Sequence, residues 1–258
     1  MTPRFLNSQY GTSDQATRIA LVESLASASD SRPAVLFCGG FKSNMGGSKA
    51  LALELLCRRH EISYTRFDYS GHGISEGEFV DGNIDHWLTD TLTVFDQFCP
   101  DKKIILVGSS MGAWIATLAA VKRPSRIAGL ITIAAAPDFT ERLLLQRLTS
   151  KQQQQLHNGE NLLVPSEYDD GTPYPISLQL IENSRKHCVL TGPIPINAPV
   201  RLLHGDADID VPYELSIELM QAITSSDIQL TLVKNGDHRL SSPEQLALLE
   251  KTVLQLTE

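Results

Sequence analysis

Residues 104–113 read IILVGSSMGA. Four apolar residues run into Gly-Ser-Ser-Met-Gly, and a helical pattern, AWIATLAAVKR, follows at once. A continuous apolar run of this kind marks a strand covered on both faces, as in a parallel sheet. Gly108-Ser109-Ser110-Met111-Gly112 fits G-x-S-x-G, the pattern that presents a serine on a tight, strained strand-to-helix turn. Glycines two residues either side of Ser110 leave room for strand and helix to approach. Ser110 is the expected nucleophile and Ser109 a small packing residue. The five-residue pattern alone turns up by chance in about one chain in ten of this length, so its weight comes from its surroundings.

Outward from this turn, short apolar strands alternate with helical segments. TRIALVES (17–24), paired with RFLNSQ before it, AVLFCGG (34–40) and SYTRFDYSGHG (63–73) read as strands, the last opening into a glycine turn. IAGLITIAAAP (127–137), PVRLLHG (199–205) and IQLTLV (228–233) continue the series. KALALELLCRRH (49–60), NIDHWLTDTLTVFDQFC (83–99) and VPYELSIELMQAI (211–223) have apolar residues at helical spacing. In the second of these, Trp87, Leu88, Leu92, Val94, Phe95 and Phe98 cluster on one side. The β-α-β-α order predicts an α/β fold with a mostly parallel, doubly wound sheet of about eight strands. Residues 138–190 break the rhythm. FTERLLLQRLTSKQQQQLHNG (139–159) reads as one helix, LLVPSEYDDGTPYPIS (162–177) as turns with short extended pieces, and LQLIENSRKHCVL (178–190) as helix again. The expected organisation is a core of residues 1–137 and 191–258 carrying an inserted, largely helical cap at 138–190.

Composition narrows the function classes. A chain of 258 residues with 42% hydrophobic residues can bury a substantial core. A net charge of -8 with scattered Lys and Arg speaks against a nucleic-acid or anionic-membrane surface. No apolar run approaches the roughly 20 residues that span a bilayer. Cys38, Cys57, Cys99 and Cys188 form no C-x-x-C pair and suggest no zinc site, so they read as free thiols. The opening MTPRFLNSQYGTSDQ has neither the apolar stretch of a signal peptide nor the Arg-rich look of a transit peptide, and the expected location is the cytoplasm.

A serine hydroxyl attacks well only when a base takes its proton, and that base is usually an imidazole held by a carboxylate. With a G-x-S-x-G elbow the chain order is serine, acid, histidine. His238, in KNGDHRLSSP, meets that order, and it precedes a helix with a capping-box start at Ser242, Pro243 and Gln245. The acid lies in Gly205-Asp206-Ala207-Asp208-Ile209-Asp210, with Asp208 expected and Asp206 the alternative. Asp210 is expected at the start of the helix near Pro212. For the oxyanion, the expected donors are the backbone N–H groups of Met111 and of Phe41, just past Gly39-Gly40. His60, His86, His157, His187 and His204 precede the acid and fail the order requirement. His72 reads as a structural or pocket-lining residue of its glycine turn, and Trp87 and Trp114 as helix packing. Its G-x-G lacks the third glycine of a nucleotide-binding turn.

The stretches GFKSNMGGSKALALE, RFDYSGHGISEG, LVGSSMGAWIATLAA, KHCVL, PIPINAPVRLLHG and GDHR occur in one order over about residues 33–240. Together with HGDADIDVP they make the chain resemble the α/β-hydrolase superfamily, and within it the α/β-hydrolase-domain branch of mitochondrial palmitoyl-protein thioesterases. The resemblance implies an α/β-hydrolase fold, with nucleophile Ser110, acid Asp208, base His238 and oxyanion donors Phe41 and Met111. It implies activity on acyl thioesters and carboxylic esters, including acyl glucuronides, with no cofactor and no metal. Two departures stand out: Cys38-Gly39-Gly40-Phe41 where superfamily members often have His-Gly or Pro-Gly, and the additional Asp206. The expected function is therefore that of a serine hydrolase with a small-molecule acyl substrate. The competing readings are a non-catalytic small-molecule binding protein on the same fold and a triad enzyme with a non-hydrolytic outcome, perhydrolase or lyase.

Overall fold

The computed structural model of the chain describes residues 2–10, 16–164 and 173–258. In chain order the strands are β1 (Arg4–Gln9), β2 (Ala16–Ser24), β3 (Ala34–Cys38), β4 (Tyr64–Phe67), β5 (Ile104–Ser109), β6 (Ile127–Ile133), β7 (Leu162–Val164), β8 (Tyr174–Ile176), β9 (Val200–Gly205) and β10 (Ile228–Val233). Eight of them form one sheet in the order β1-β2-β4-β3-β5-β6-β9-β10. From β4 to β10 every neighbouring pair is parallel, while β1/β2 and β2/β4 are antiparallel. The mostly parallel sheet and the β1–β2 pairing are those expected.

The helices of the core are α1 (Ser48–Arg59), α2 (Ile84–Gln97) and α3 (Met111–Lys122), with two more, given below, after the excursion. Side chains of β3 and β5 split by parity. Ala34, Leu36 and Cys38, with Ile104 and Leu106, join Trp87 and Phe95 of α2 and Trp114 of α3 in one core cluster. Val35, Phe37, Ile105 and Val107 face the other way, against Leu53 and Leu56 of α1. A strand buried on both faces must be apolar at every position, which is why IILV carries no alternation. Helix α3 is buried nearly all round, from Met111 through Ala120, because it crosses the centre of the sheet.

Between β6 and β9 the chain leaves the sheet. The expected single helix over 139–159 is two pieces. A π-helical turn, Thr140–Leu144, passes into α4 (Leu145–Arg147), and the chain then extends at Leu148. Thr149 opens a new helix, α5 (Ser150–His157): its hydroxyl accepts from Gln152 N–H while Gln152 Oε1 takes the Thr149 N–H. This reciprocal capping box satisfies the first-turn donors, so a fresh start is favoured over continuation. The extended pieces expected in 162–177 are β7 and β8, paired antiparallel; residues 165–172 between them lie outside the described residues. Helix α6 (Leu178–Ser184) ends in a 3-10 turn, Arg185–His187, and the chain is no longer helical at Cys188. Asp138 clasps the two ends of the excursion, its carboxylate accepting from Val189 N–H at 2.8 Å and Leu190 N–H at 2.9 Å. The last two helices, α7 (Glu214–Ala222) and α8 (Pro243–Thr257), flank β10 in sequence, and α8 packs with α1 on one face.

Candidate active site

Ser110 sits between β5 and α3 at φ 56° and ψ -120°. A non-glycine residue in such a conformation costs about 1–3 kcal/mol and persists only where its surroundings impose it. Here Ser110 N–H donates to the Ile133 carbonyl and Ser110 C=O accepts from Ala113 N–H. The flanking glycines are steric requirements. A Cβ on Gly112 would lie 2.2 Å from the Cys38 carbonyl oxygen, and one on Gly108 would lie 2.3 Å from that of Gly112. Strand and helix meet so closely that neither position has space for a side chain.

His238 occupies the loop between β10 and α8. Its Nε2 is 3.0 Å from Ser110 Oγ and its Nδ1 is 2.7 Å from Asp208 Oδ2. Since an ionised carboxylate can only accept, Nδ1 carries the hydrogen, and Nε2 is free to accept from the serine hydroxyl. Asp208 follows β9, and its side chain has no exposed surface. Oδ1 accepts from the N–H groups of Asp210 and Val211, and Oδ2 from His238 and from His204 Nε2 at 3.1 Å. Burial pushes the Asp208 carboxyl up, but the hydrogen bonds from His204, His238 and the Val211 N–H outweigh it and hold it well below the usual carboxylate range.

Asp206, the alternative acid, turns away: it accepts from Asn235 N–H and pairs with Lys234 at the surface. Asp210, expected to cap or favour the start of a helix near Pro212, lies ahead of a helix that starts two residues later than that. Helix α7 begins at Glu214, with Tyr213 at its N-cap making no side-chain cap, and Leu215 N–H is met by the Pro212 carbonyl. The Asp210 backbone N–H serves Asp208 instead. The Ser242 capping box before α8 forms as expected, with Pro243 in the first turn.

The loop after β3 brings Phe41 beside the elbow. Among the described residues no acceptor takes the Phe41 or the Met111 N–H. The next residue, Lys42, has φ 55°, and its N–H donates to His72 Nε2 at 3.1 Å. His72 Nδ1 in turn faces the Ser70 carbonyl at 3.1 Å, which fixes its tautomer. Burial pushes the His72 imidazole down to about 4, against the Ser70 bond. The glycine-turn histidine is thus the acceptor that holds the Phe41–Lys42 loop. The Phe41 ring packs edge-on against Phe79 and Trp87 of the core and against Phe139 and Tyr174 of the excursion. A cavity of about 490 Å³ opens here, lined by Phe41, Ser110, Tyr174 and His238, with Lys42 and Lys49 on its polar side. Ser109 also reaches this wall, though 7% exposed.

Residue order set aside His204, which the structure places beside these groups, while His72 holds the Phe41–Lys42 loop as the structural residue its glycine turn suggested. His72 carried a signal in its position on a glycine turn after a strand. His204 stands four residues before Asp208, a spacing the order requirement disregards. One set of donors among the described residues is close enough to ligate an ion, Asp208, Asp210 and His238, with atoms within 4.8 Å. All four acceptor sites of Asp208 are already occupied by N–H donors, so this group does not fit a metal. The four cysteines are free and Cys38 and Cys57 are buried.

The elbow lies at the carboxyl end of central β5, and its partners follow β9 and β10 at the same edge of a parallel sheet. That placement defines the class: the chain is an α/β hydrolase. It belongs to the Hydrolase_4 family, described as serine aminopeptidase S33, whose profile matches residues 29–185. It is 35% identical over 226 residues to the palmitoyl-protein thioesterase ABHD10, mitochondrial, of Bos taurus, covering 88% of this chain and 73% of that protein. Among solved structures, a hydrolase candidate from Agrobacterium vitis S4 superposes with a TM-score of 0.92 at 36% identity over 100% of both chains. The α/β hydrolase domain-containing protein 10 from mouse gives 0.87 at 33% identity, over 99% of this chain and 98% of that one.

Proposed function

We propose that this hydrolase cleaves carboxylic esters, acyl thioesters or both through an acyl-enzyme on Ser110. The observation that carries the reading is the continuous line from Ser110 Oγ through His238 to Asp208, at 3.0 and 2.7 Å, with the serine held in a strained turn at the cavity wall. His238 Nε2 takes the hydroxyl proton as Oγ attacks the acyl carbonyl. Asp208 keeps the ring in the Nδ1–H tautomer and stabilises the imidazolium that forms. The N–H groups of Met111 and Phe41 meet the oxyanion, and His238 returns the proton to the leaving alkoxide or thiolate. Water, activated by the same imidazole, then releases the acid and restores the serine.

Segment 138–190 acts in this reading as the cap over the acyl site, since it supplies Tyr174 to the cavity and Phe139 to the ring cluster around Phe41. The bovine relative bears the name of a palmitoyl-protein thioesterase, so a long-chain acyl thioester belongs among the candidate substrates. A cytoplasmic location remains part of the proposal; the free thiols fit any reducing compartment, and the named mammalian relative is mitochondrial. No described helix is long and apolar enough to cross a membrane. The test is a series of p-nitrophenyl esters and acyl thioesters of increasing chain length, with Ser110→Ala in parallel. Turnover that Ser110→Ala abolishes supports the reading, and the chain-length optimum sets the acyl class. Saturable binding with no turnover of any member would favour a binding protein.

A further inference from the structure

Strand β9 ends in Leu203-His204-Gly205, an imidazole at the end of a strand that is buried at nearly every position. His204 is 0% exposed. Its Nε2 lies 3.1 Å from Asp208 Oδ2 and 3.1 Å from the Val211 carbonyl oxygen. Neither oxygen carries a hydrogen while Asp208 is ionised, so Nε2 bears one and shares it between them. On the far side of the ring, Nδ1 is 2.7 Å from Ser216 Oγ of α7, whose hydroxyl donates to it. The line of side chains at the elbow is therefore longer than three: Ser216, His204, Asp208, His238, Ser110.

A carboxylate with no exposed surface takes its orientation from its donors, because solvent cannot reach it to replace one that is missing. Two backbone N–H groups hold Oδ1 of Asp208, and His238 and His204 share Oδ2. His238 is also the group whose aim at Ser110 must be set, so it cannot be the fixed end of its own support. On Oδ2 the fixed end is His204, locked between a strand, a backbone carbonyl and the Ser216 hydroxyl.

We propose that His204 is a positioning residue for the proposed reaction. Its Nε2–H, oriented by Ser216, fixes the plane of the Asp208 carboxylate and through it the ring of His238. The inference rests on the Ser110–His238–Asp208 reading above. His204 keeps its proton throughout and touches no substrate atom.

Three variants test it on the p-nitrophenyl ester turned over best. His204→Phe fills the ring's space without a donor, His204→Gln keeps an N–H at similar reach, and Ser216→Ala removes the orienting hydroxyl. His204→Phe is expected to lower kcat about 10- to 100-fold with KM within about twofold, as for a misaligned catalytic group. His204→Gln should recover a substantial part of that loss, and Ser216→Ala should lower kcat about two- to tenfold, the weight of one neutral hydrogen bond. In proton NMR, the far-downfield signal of His238 Nδ1–H bonded to Asp208 should shift or broaden in His204→Phe and persist in His204→Gln. A purely structural role would lower stability and leave kcat and this signal in place. Folded His204→Phe with wild-type kcat overturns the proposal, as does His204→Gln impaired as deeply as His204→Phe. If His204→Phe does not fold, wild-type kcat and an unmoved signal in both other variants overturn it equally. Ser110→Ala separates the two levels: if it stays active, the Ser110 reading falls and His204 with it. If it is inactive while folded His204→Phe is unimpaired, only the role of His204 falls.

Discussion

Ser110 and Asp208 stand in opposite surroundings. The serine is held at positive φ on a turn that presents its hydroxyl to the cavity, while the aspartate is fully enclosed and met by four N–H donors. Asp208→Asn is expected to lower kcat about 10³- to 10⁴-fold, because an amide no longer selects the Nδ1–H tautomer of His238. Asp206→Asn, which loses only a surface pairing with Lys234, should stay within about twofold of wild type in the same ester assay. Equal losses in the two variants would contradict the assignment. This distinction was out of reach of spacing alone. GDADID offers three carboxylates within six residues, and what separates them is the turn after β9, which sends Asp206 outward beside Lys234 and Asp208 inward beneath His238. The elbow serine was legible because the glycine pattern, the apolar strand and the helix after it all constrain the same residue.

At the scale of elements, the site is made by close approaches between a strand end and a helix start. Gly112→Ala would press a methyl group into the Cys38 and Gly39 carbonyls, and backbone cannot yield as a flexible side chain can. It is expected to lower stability in urea unfolding by about 1–3 kcal/mol or more, with activity falling alongside; an unchanged midpoint would contradict the packing described. His72 gives the loop after β3 a pH dependence. Its ring titrates near 6.5 when unfolded and is pushed down to about 4 in the fold, chiefly by burial. Between those values the unfolded chain binds the extra proton, so the stability present above pH 6.5 is lost as pH falls toward 4, by up to about 3 kcal/mol. Unfolding curves of His72→Gln should decline less steeply than wild type between pH 6.5 and 4.5, and parallel declines would contradict this. The excursion was the least legible part of the fold. FTERLLLQRLTSKQQQQLHNG keeps helical composition throughout, yet Thr149 and Gln152 carry the same capping pattern as Ser242 and Gln245 and divide it in two. Composition reports what a segment can form, whereas caps decide where it stops.

Over the whole molecule, the centre of the sheet and the helices that cover it follow from one property of the sequence, the apolar strands β3 and β5 that demand cover on both faces. The order of strands at the edges and the path of residues 138–190 depend on contacts distant in sequence, which no local pattern holds. Asp138 is such a contact: it is 3% exposed and ties the start of the excursion to its end at Val189 and Leu190. Asp138→Ala leaves both N–H groups without that acceptor and is expected to cost about 3 kcal/mol in urea unfolding. Faster proteolytic cleavage between 139 and 188 should accompany it, and wild-type stability with wild-type proteolysis would show that the clasp carries no weight. The most direct measurement for the molecule as a whole is covalent labelling with a fluorophosphonate, read by mass spectrometry of the intact chain and its peptides. Wild type should take up one label, on the peptide bearing Ser110, and Ser110→Ala should take up none. An active, folded wild type that does not label, or a Ser110→Ala variant that labels as fully, would contradict the assignment of Ser110 as the nucleophile.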